Sequence, residues 1–432
     1  MKAIKLLVAL LIIGNVAAAQ TTEKISPVSE FKDGVPPEKT MKYRLNYRSK
    51  DFLINGDVGT YAFMNIPEMY ASATVNRGAG QVAMLDKELD NTLANTMTST
   101  ALGNMPLSEL MQDETARMQG VLVIHNGKIV LEEYMGMREL DKHSWFSASK
   151  QILGLTINIL VEEGLIDLEQ SVNHYIPEYN SADWKRVKVK HLLHHVSGMD
   201  YVETNANFMN PEHPLNQAVR YSLATRHEED GPSMFELMKD VKSYMEAGVK
   251  FDYSSMNTQI LGFIVERVTN MKYEEVVADR IWTKTGMESD GHYGMSAKGE
   301  PISGGFFASR LRDMARFGML YTPSWNLVAN NQIVSDAYFQ KVYNNEGFTK
   351  AFEISEQGEN MNKQFKGEPT HATYQWDAVF PDGDMYKAGR YGQGLYVSPK
   401  TNTVIVFVSA VHQNRVGFAG FARQLVQKHY QK

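Results

Sequence analysis

The chain has 432 residues, 43% of them hydrophobic and 22% charged, with a formal net charge of −6; that is ample for a large core, in one big domain with an appendage or in two domains. It contains no cysteine, which excludes disulfides, a thiol nucleophile and a Cys-ligated zinc site. A mildly acidic chain without a basic run also argues against nucleic acid as a partner.

Residues 1–19 carry two lysines, an apolar run from Leu6 to Ile13 and then Ala17-Ala18-Ala19. They read as a secretory signal peptide cut before Gln20, so the mature protein is expected to be periplasmic or secreted. Cleavage removes Lys2 and Lys5 and takes the formal charge from −6 to −8. The apolar run is too short to span a bilayer, and no cysteine is present to carry a lipid, so no stable membrane anchor is expected. Residues 20–40 are polar, with Pro27, Pro36 and Pro37, and read as an extended leader. Residues 41–110 show short alternating pieces (Tyr43, Leu45, Tyr47) and a helical stretch near Val82–Met97. Together, residues 20–110 are expected to form an N-terminal extension packed on a main domain over 111–432.

From Gly120 the pattern sharpens. Val121 to Ile124 and Ile129 to Leu131 flank Asn126-Gly127, a strong hairpin signal. A helix that is apolar on nearly every side follows, through Ile152, Leu153, Leu155, Ile157 and Leu160, and Gly164 closes it. Val187 to Ser197 reads as a short strand running into a helix, and Asp200 to Pro232 as polar loops. Further helices are expected over Thr258–Val268 and Asp313–Leu320. Gly394–Val397 and Thr403–Ser409 form a second hairpin, and Phe418–Tyr430 a last helix. Strands at both ends with helices between them predict an α+β fold, one antiparallel sheet closed by terminal helices.

The chemistry centres on Ser147-Ala148-Ser149-Lys150, an S-x-x-K pattern at the head of the apolar helix. Residues three apart share a helix face, so a serine hydroxyl and a lysine amine are neighbours. Burial would lower the lysine pKa and let it take the serine proton. Ser149 is the rival nucleophile, but it adjoins Lys150 and points off its face. His191, His194 and His195 have helical spacing, which a packed helix explains better than zinc. No G-x-S-x-G elbow is present.

Several stretches, in order, resemble the serine hydrolases of the β-lactamase and penicillin-binding-protein superfamily. S-x-x-K is one signature. His191 to Met199 is similar to L-L-x-H-x-S-G-L, Gly248 to Ser255 to G-x-x-F-x-Y-S-N, and Gly304 to Leu320 to G-G-x-x-S-x-x-D-L-A-R-F-G. Thr285-Gly286-Met287 matches the L-G-M turn. The resemblance covers Gly120 to the C-terminus and lies nearest the class C β-lactamase, esterase and 6-aminohexanoate-dimer hydrolase branch. It implies a β-lactamase/transpeptidase-like fold with an all-helical subdomain carrying the S-x-x-K helix. It also implies Ser147 as nucleophile, with Lys150 and Tyr253 sharing its proton, and no cofactor or metal. By the same resemblance Ser147 and Arg390 supply the oxyanion N–H groups, beside Gly389, and Ser255 and Lys387 meet the substrate. Two departures stand out. Ser255 replaces an asparagine, as in nylon-oligomer hydrolases, and the third motif is Lys387-Ala388-Gly389, without the usual hydroxyl. These favour an exported esterase or amidase acting on a small-molecule substrate. A D-Ala-D-Ala carboxypeptidase or β-lactamase is the alternative, and a binding protein retaining the fold is a third. The oligomeric state and the exact substrate have no signature in the sequence.

Overall fold

A computed structural model of the protein describes residues 25–54, 56–225, 228, 231–344, 347–412 and 417–431. The signal-peptide expectation for residues 1–19 lies outside them. The strands, in chain order, are β1 (Ser72–Val75), β2 (Met97–Thr100), β3 (Gly103–Pro106), β4 (Met118–His125), β5 (Lys128–Tyr134), β6 (Lys142–Ser144) and β7 (Gly291–Gly294), then β8 (Phe307–Arg310), β9 (His371–Thr373), β10 (Trp376–Val379), β11 (Met385–Gly389), β12 (Gln393–Ser398) and β13 (Thr403–Ser409). Among the described residues they build a seven-stranded sheet in the order β5-β4-β13-β12-β11-β10-β9, a four-stranded sheet β1-β7-β8-β6 and the β2-β3 hairpin.

The β4-β5 turn forms because Asn126 and Gly127 both take positive φ, +51° and +78°, as a two-residue hairpin turn demands. The unbroken apolar run of β4 follows from burial on both faces. Leu122 and Ile124 enter one core with Leu395, Val404 and Val406. Val121 and Val123 enter a second core with Ile405, Phe407 and Phe421. The C-terminal helix Gly420–His429 covers that second face, and the helix Leu311–Met319 covers the first. Two largely buried helices, Lys150–Glu162 and Ser255–Thr269, fill the centre of the first core. The α+β architecture expected from the sequence is therefore the one the chain adopts, with two smaller sheets beside the main antiparallel one instead of a single sheet.

Four local expectations fail. Residues 82–97 form no α-helix, only a 3-10 turn at Leu93–Asn95. Instead the N–H groups of Glu88 and Asp90 donate to the carbonyls of Ile129 and Val130, so this stretch covers the free edge of β5 rather than bonding to itself. The alternating Tyr43, Leu45, Tyr47 piece belongs to the helix Pro37–Asn46 and its cap. Pro37 opens that helix, where its missing N–H costs nothing, and Tyr43 and Tyr47, four apart, both turn inward. The described part of the leader is not extended, because Val28–Phe31 makes a 3-10 turn that buries Phe31. The polar stretch 200–232 contains two helices, Asn205–Met209 and Pro214–Ser222.

A third core explains the extension. Phe31, Tyr43, Tyr47, Phe52, Phe63 and Tyr70 pack with Phe146, Phe306 and Tyr391 of the main domain. Residues 25–106 are thus built into the molecule, and β1 is stitched to β7 through the register Ser72↔Gly294.

Candidate active site

Ser147 lies in a 3-10 turn, Phe146–Ser149, that runs directly into the helix Lys150–Glu162. The residue before it, Phe146, is held at φ +46°, a left-handed conformation that is costly for a bulky side chain. Ser149, the rival nucleophile, is fully buried, and its hydroxyl donates to the Phe146 carbonyl at 2.7 Å. It therefore fixes the turn and does not face the cavity. Ser147 remains partly exposed and lines a cavity of about 670 Å³, within the usual size range of small-molecule sites.

Lys150 is fully buried. Its Nζ lies 3.0 Å from Ser147 Oγ and 2.9 Å from Ser255 Oγ, and it also donates to the Gly304 carbonyl. All three of these partners are neutral. Burial, reinforced by the nearby Lys387 charge and opposed by Glu203 and Asp377, pushes the Lys150 amine down to about 7. A lysine in that range exists in substantial part as the neutral base near neutral pH.

Tyr253 precedes the helix Ser255–Thr269, whose start is capped by Ser254 Oγ accepting from the Met256 N–H. The tyrosine ring lines the same cavity as Ser147 and sits between two lysine amines. Lys150 Nζ is 5.1 Å from its centroid and Lys387 Nζ 4.8 Å. His195 packs on the ring at 4.7 Å. The other two histidines go elsewhere: His191 Nδ1 accepts from the Lys188 N–H, and His194 Nδ1 pairs with the Thr373 hydroxyl.

The remaining expected residues divide. Ser255 lines the cavity, yet its hydroxyl is bound by Lys150 and its N–H donates to Glu203 Oε1 at 2.6 Å. Lys387 does not meet the cavity. It is fully buried on β11 and donates to Asp377 Oδ1 at 2.6 Å, so the expected contact with a substrate carboxylate is replaced by an internal ion pair. The other Asp377 oxygen accepts from the Ala388 N–H at 2.9 Å. Gly389 is needed for packing more than for substrate approach: a Cβ there would lie 2.3 Å from the Trp145 carbonyl, on the segment that presents Ser147. Arg390 lines the cavity at the end of β11, its guanidinium over the Tyr391 ring at 5.1 Å.

Two contributors have no signature in the sequence. Glu203 lines the cavity and places a carboxylate beside Ser255 and the two lysines. No residue pattern marks it within its polar stretch. Phe52 and Leu53 come from the extension, far outside the region carrying the motifs. Among the described residues no cluster of His, Asp or Glu could hold a metal ion.

A family model described as Beta-lactamase matches residues 107–427. The chain belongs to the beta-lactamase family. As a serine hydrolase of this family, it is similar to the 6-aminohexanoate-dimer hydrolase of Paenarthrobacter ureafaciens, 26% identical over 316 residues covering 71% of this chain and 76% of that one. Its fold matches the solved structure of a Bacillus anthracis protein assigned by name only as a 6-aminohexanoate-dimer hydrolase, at 24% identity and TM-score 0.72 over 89% of this chain and 96% of that one. It also matches EstCE1, described as a hydrolase with promiscuous acyltransferase activity, at 15% identity and TM-score 0.55 over 75% and 96%. The part of this beta-lactamase-family chain before residue 107 lies outside the matched region, although it supplies part of the cavity wall.

Proposed function

We propose that the protein is an exported hydrolase of carboxylic ester or amide bonds that works through an acyl-enzyme on Ser147. The observation that carries this is the fully buried Lys150 amine, 3.0 Å from Ser147 Oγ, with hydroxyl and carbonyl partners in place of a carboxylate. Neutral Lys150 takes the Ser147 proton as Oγ attacks the substrate carbonyl. The backbone N–H groups of Ser147 and Arg390 receive the oxyanion. Tyr253, whose phenolate form the two flanking ammonium groups would favour, passes a proton to the departing alcohol or amine. Water then clears the acyl group by the reverse route.

Preference for esters and simple amides over β-lactams and D-Ala-D-Ala peptides rests on β11. Ala388 offers no hydroxyl, and Lys387 is already engaged by Asp377. The likeness to an enzyme named for an amide dimer supports including linear amides. Export rests on residues 1–19, and no described helix is long and apolar enough to cross a membrane.

Ser147→Ala tests the reading. It should abolish p-nitrophenyl ester turnover and fluorophosphonate labelling, with a stability change of at most about 1 kcal/mol, since only one hydroxyl at a helix start is lost. A Ser147→Ala protein that still labels places the nucleophile elsewhere.

A further inference from the structure

The cavity has an uneven character. Its third-core part is walled by Phe52 and Leu53 of the extension together with Val219, Leu223, Ile302 and Phe306. All but Leu223, Phe52 and Phe306 of that wall are only partly buried, and the six belong to the third core, which reaches Ser147 through Phe146. Tyr253 packs instead against the second core, with Phe251 and Ala388.

Hydrogen bonds from three directions hold the wall in place. Tyr391, next to Arg390, donates its hydroxyl to the Phe52 carbonyl at 2.9 Å. Tyr70 donates to the Leu223 carbonyl at 3.2 Å. The hydroxyl of Ser49, at the head of the short helix that carries Phe52 and Leu53, donates to Glu228 at 2.6 Å. Phe52 is also wedged between the rings of Phe146, at 5.0 Å, and Phe306, at 4.7 Å. Those two residues stand beside the nucleophile and beside the Gly304 carbonyl that binds Lys150.

We propose that this wall is the acyl site, and that the substrate is an ester or amide of an extended apolar carboxylic acid, selected by Leu53 of the N-terminal extension. This rests on the serine-hydrolase reading above. The leaving group must depart on the Tyr253 side, where its proton comes from. That leaves the acyl chain the part of the cavity lined by the third core, where the wall is apolar. Each methylene buried there adds binding that a short acyl chain cannot reach, about fourfold per group. Phe52 is a positioning residue in this arrangement, because it supports Phe146 and the end of β11, while Leu53 presents its side chain to the chain being bound.

The experiment is a p-nitrophenyl ester series from acetate through butyrate and hexanoate to octanoate, in which only the acyl group changes. For the wild-type protein kcat/KM should climb at least tenfold from acetate to hexanoate, mainly through KM. Leu53→Trp, which fills the site, should lower the hexanoate-to-acetate ratio of kcat/KM at least tenfold. Leu53→Ala should move the optimum toward octanoate. Because the ratio is taken within one variant, a loss of folded protein cancels from it. A flat chain-length profile in the wild type overturns the proposal, as does a ratio that Leu53→Trp leaves unchanged. Neither result touches the nucleophile assignment. That assignment fails separately, if Ser147→Ala keeps turning over the same esters.

Discussion

Two lysines flank one tyrosine ring, and both are fully buried, but the two sides of the site treat them differently. On the helical side Lys150 meets hydroxyls and a carbonyl, and burial brings its amine down to about 7. On the strand side Lys387 meets the Asp377 carboxylate at 2.6 Å, which opposes the effect of burial. Burial lowers both amines, but the same side chain meets only neutral hydrogen-bond partners on one side and a carboxylate that favours its charged form on the other. Burial alone does not make a catalytic lysine. What the amine is given to bond with decides whether it can release its proton.

Removing each lysine in turn is the most severe test of that contrast. Lys150→Ala should reduce kcat/KM on a p-nitrophenyl ester by about a thousandfold, within the range for loss of a general base. Lys387→Met should cost far less, because Lys387 has no bond to Ser147 and acts on Tyr253 only through its field. Equal losses from the two variants would erase the distinction.

Stability should show the reverse order. Asp377→Asn strands a buried ammonium and should destabilise the fold by about 3 kcal/mol in chemical denaturation. Lys150→Met removes an amine that burial already penalises, and should leave the folded state equally stable or more so. A Lys150→Met protein that loses as much as Asp377→Asn would mean that Lys150 is a structural group.

The mildest probe is pH. Protonated Lys150 cannot accept the serine proton, so kcat/KM should fall about tenfold per pH unit below about 7 and level off above it. Folding reports the same group. With the folded value near 7 and the ordinary lysine value at 10.5, the unfolded chain binds more protons between those limits. The Lys150 contribution to stability therefore rises with pH across that window and is at its least below it. Lys150→Met should flatten that slope, and a slope that persists belongs to other groups.

The sequence made the helical side legible and the rest only in part. Ser147 and Lys150 are three apart where a 3-10 turn runs into an α-helix, so their meeting needs nothing but local helical geometry. Tyr253 was reached through a motif, because 106 residues separate it from Ser147 and no local rule links them. Lys387 was located on its strand, but its role was misjudged: a buried lysine and an exposed one look alike until Asp377, ten residues earlier on β10, is seen to face it. Residues 82–97 looked helical by composition, and the edge of β5 overrode that preference. The α+β architecture was readable because each strand and helix near the ends has its own periodicity. The acyl wall was not, since Phe52, Leu223 and Phe306 come from three separate stretches and share no spacing.

The bond between Tyr391 and the Phe52 carbonyl joins positions 339 residues apart, and β1 waits for a partner at 291–294. Contacts so distant raise contact order and slow folding, because long loops must close before the pairing rewards them. During synthesis, therefore, the extension emerges first with its aromatic faces and a strand edge uncovered, and nothing made before Tyr391 can finish the site. A serine and a lysine placed side by side by local helix geometry are present early. The wall beside them belongs only to the completed chain.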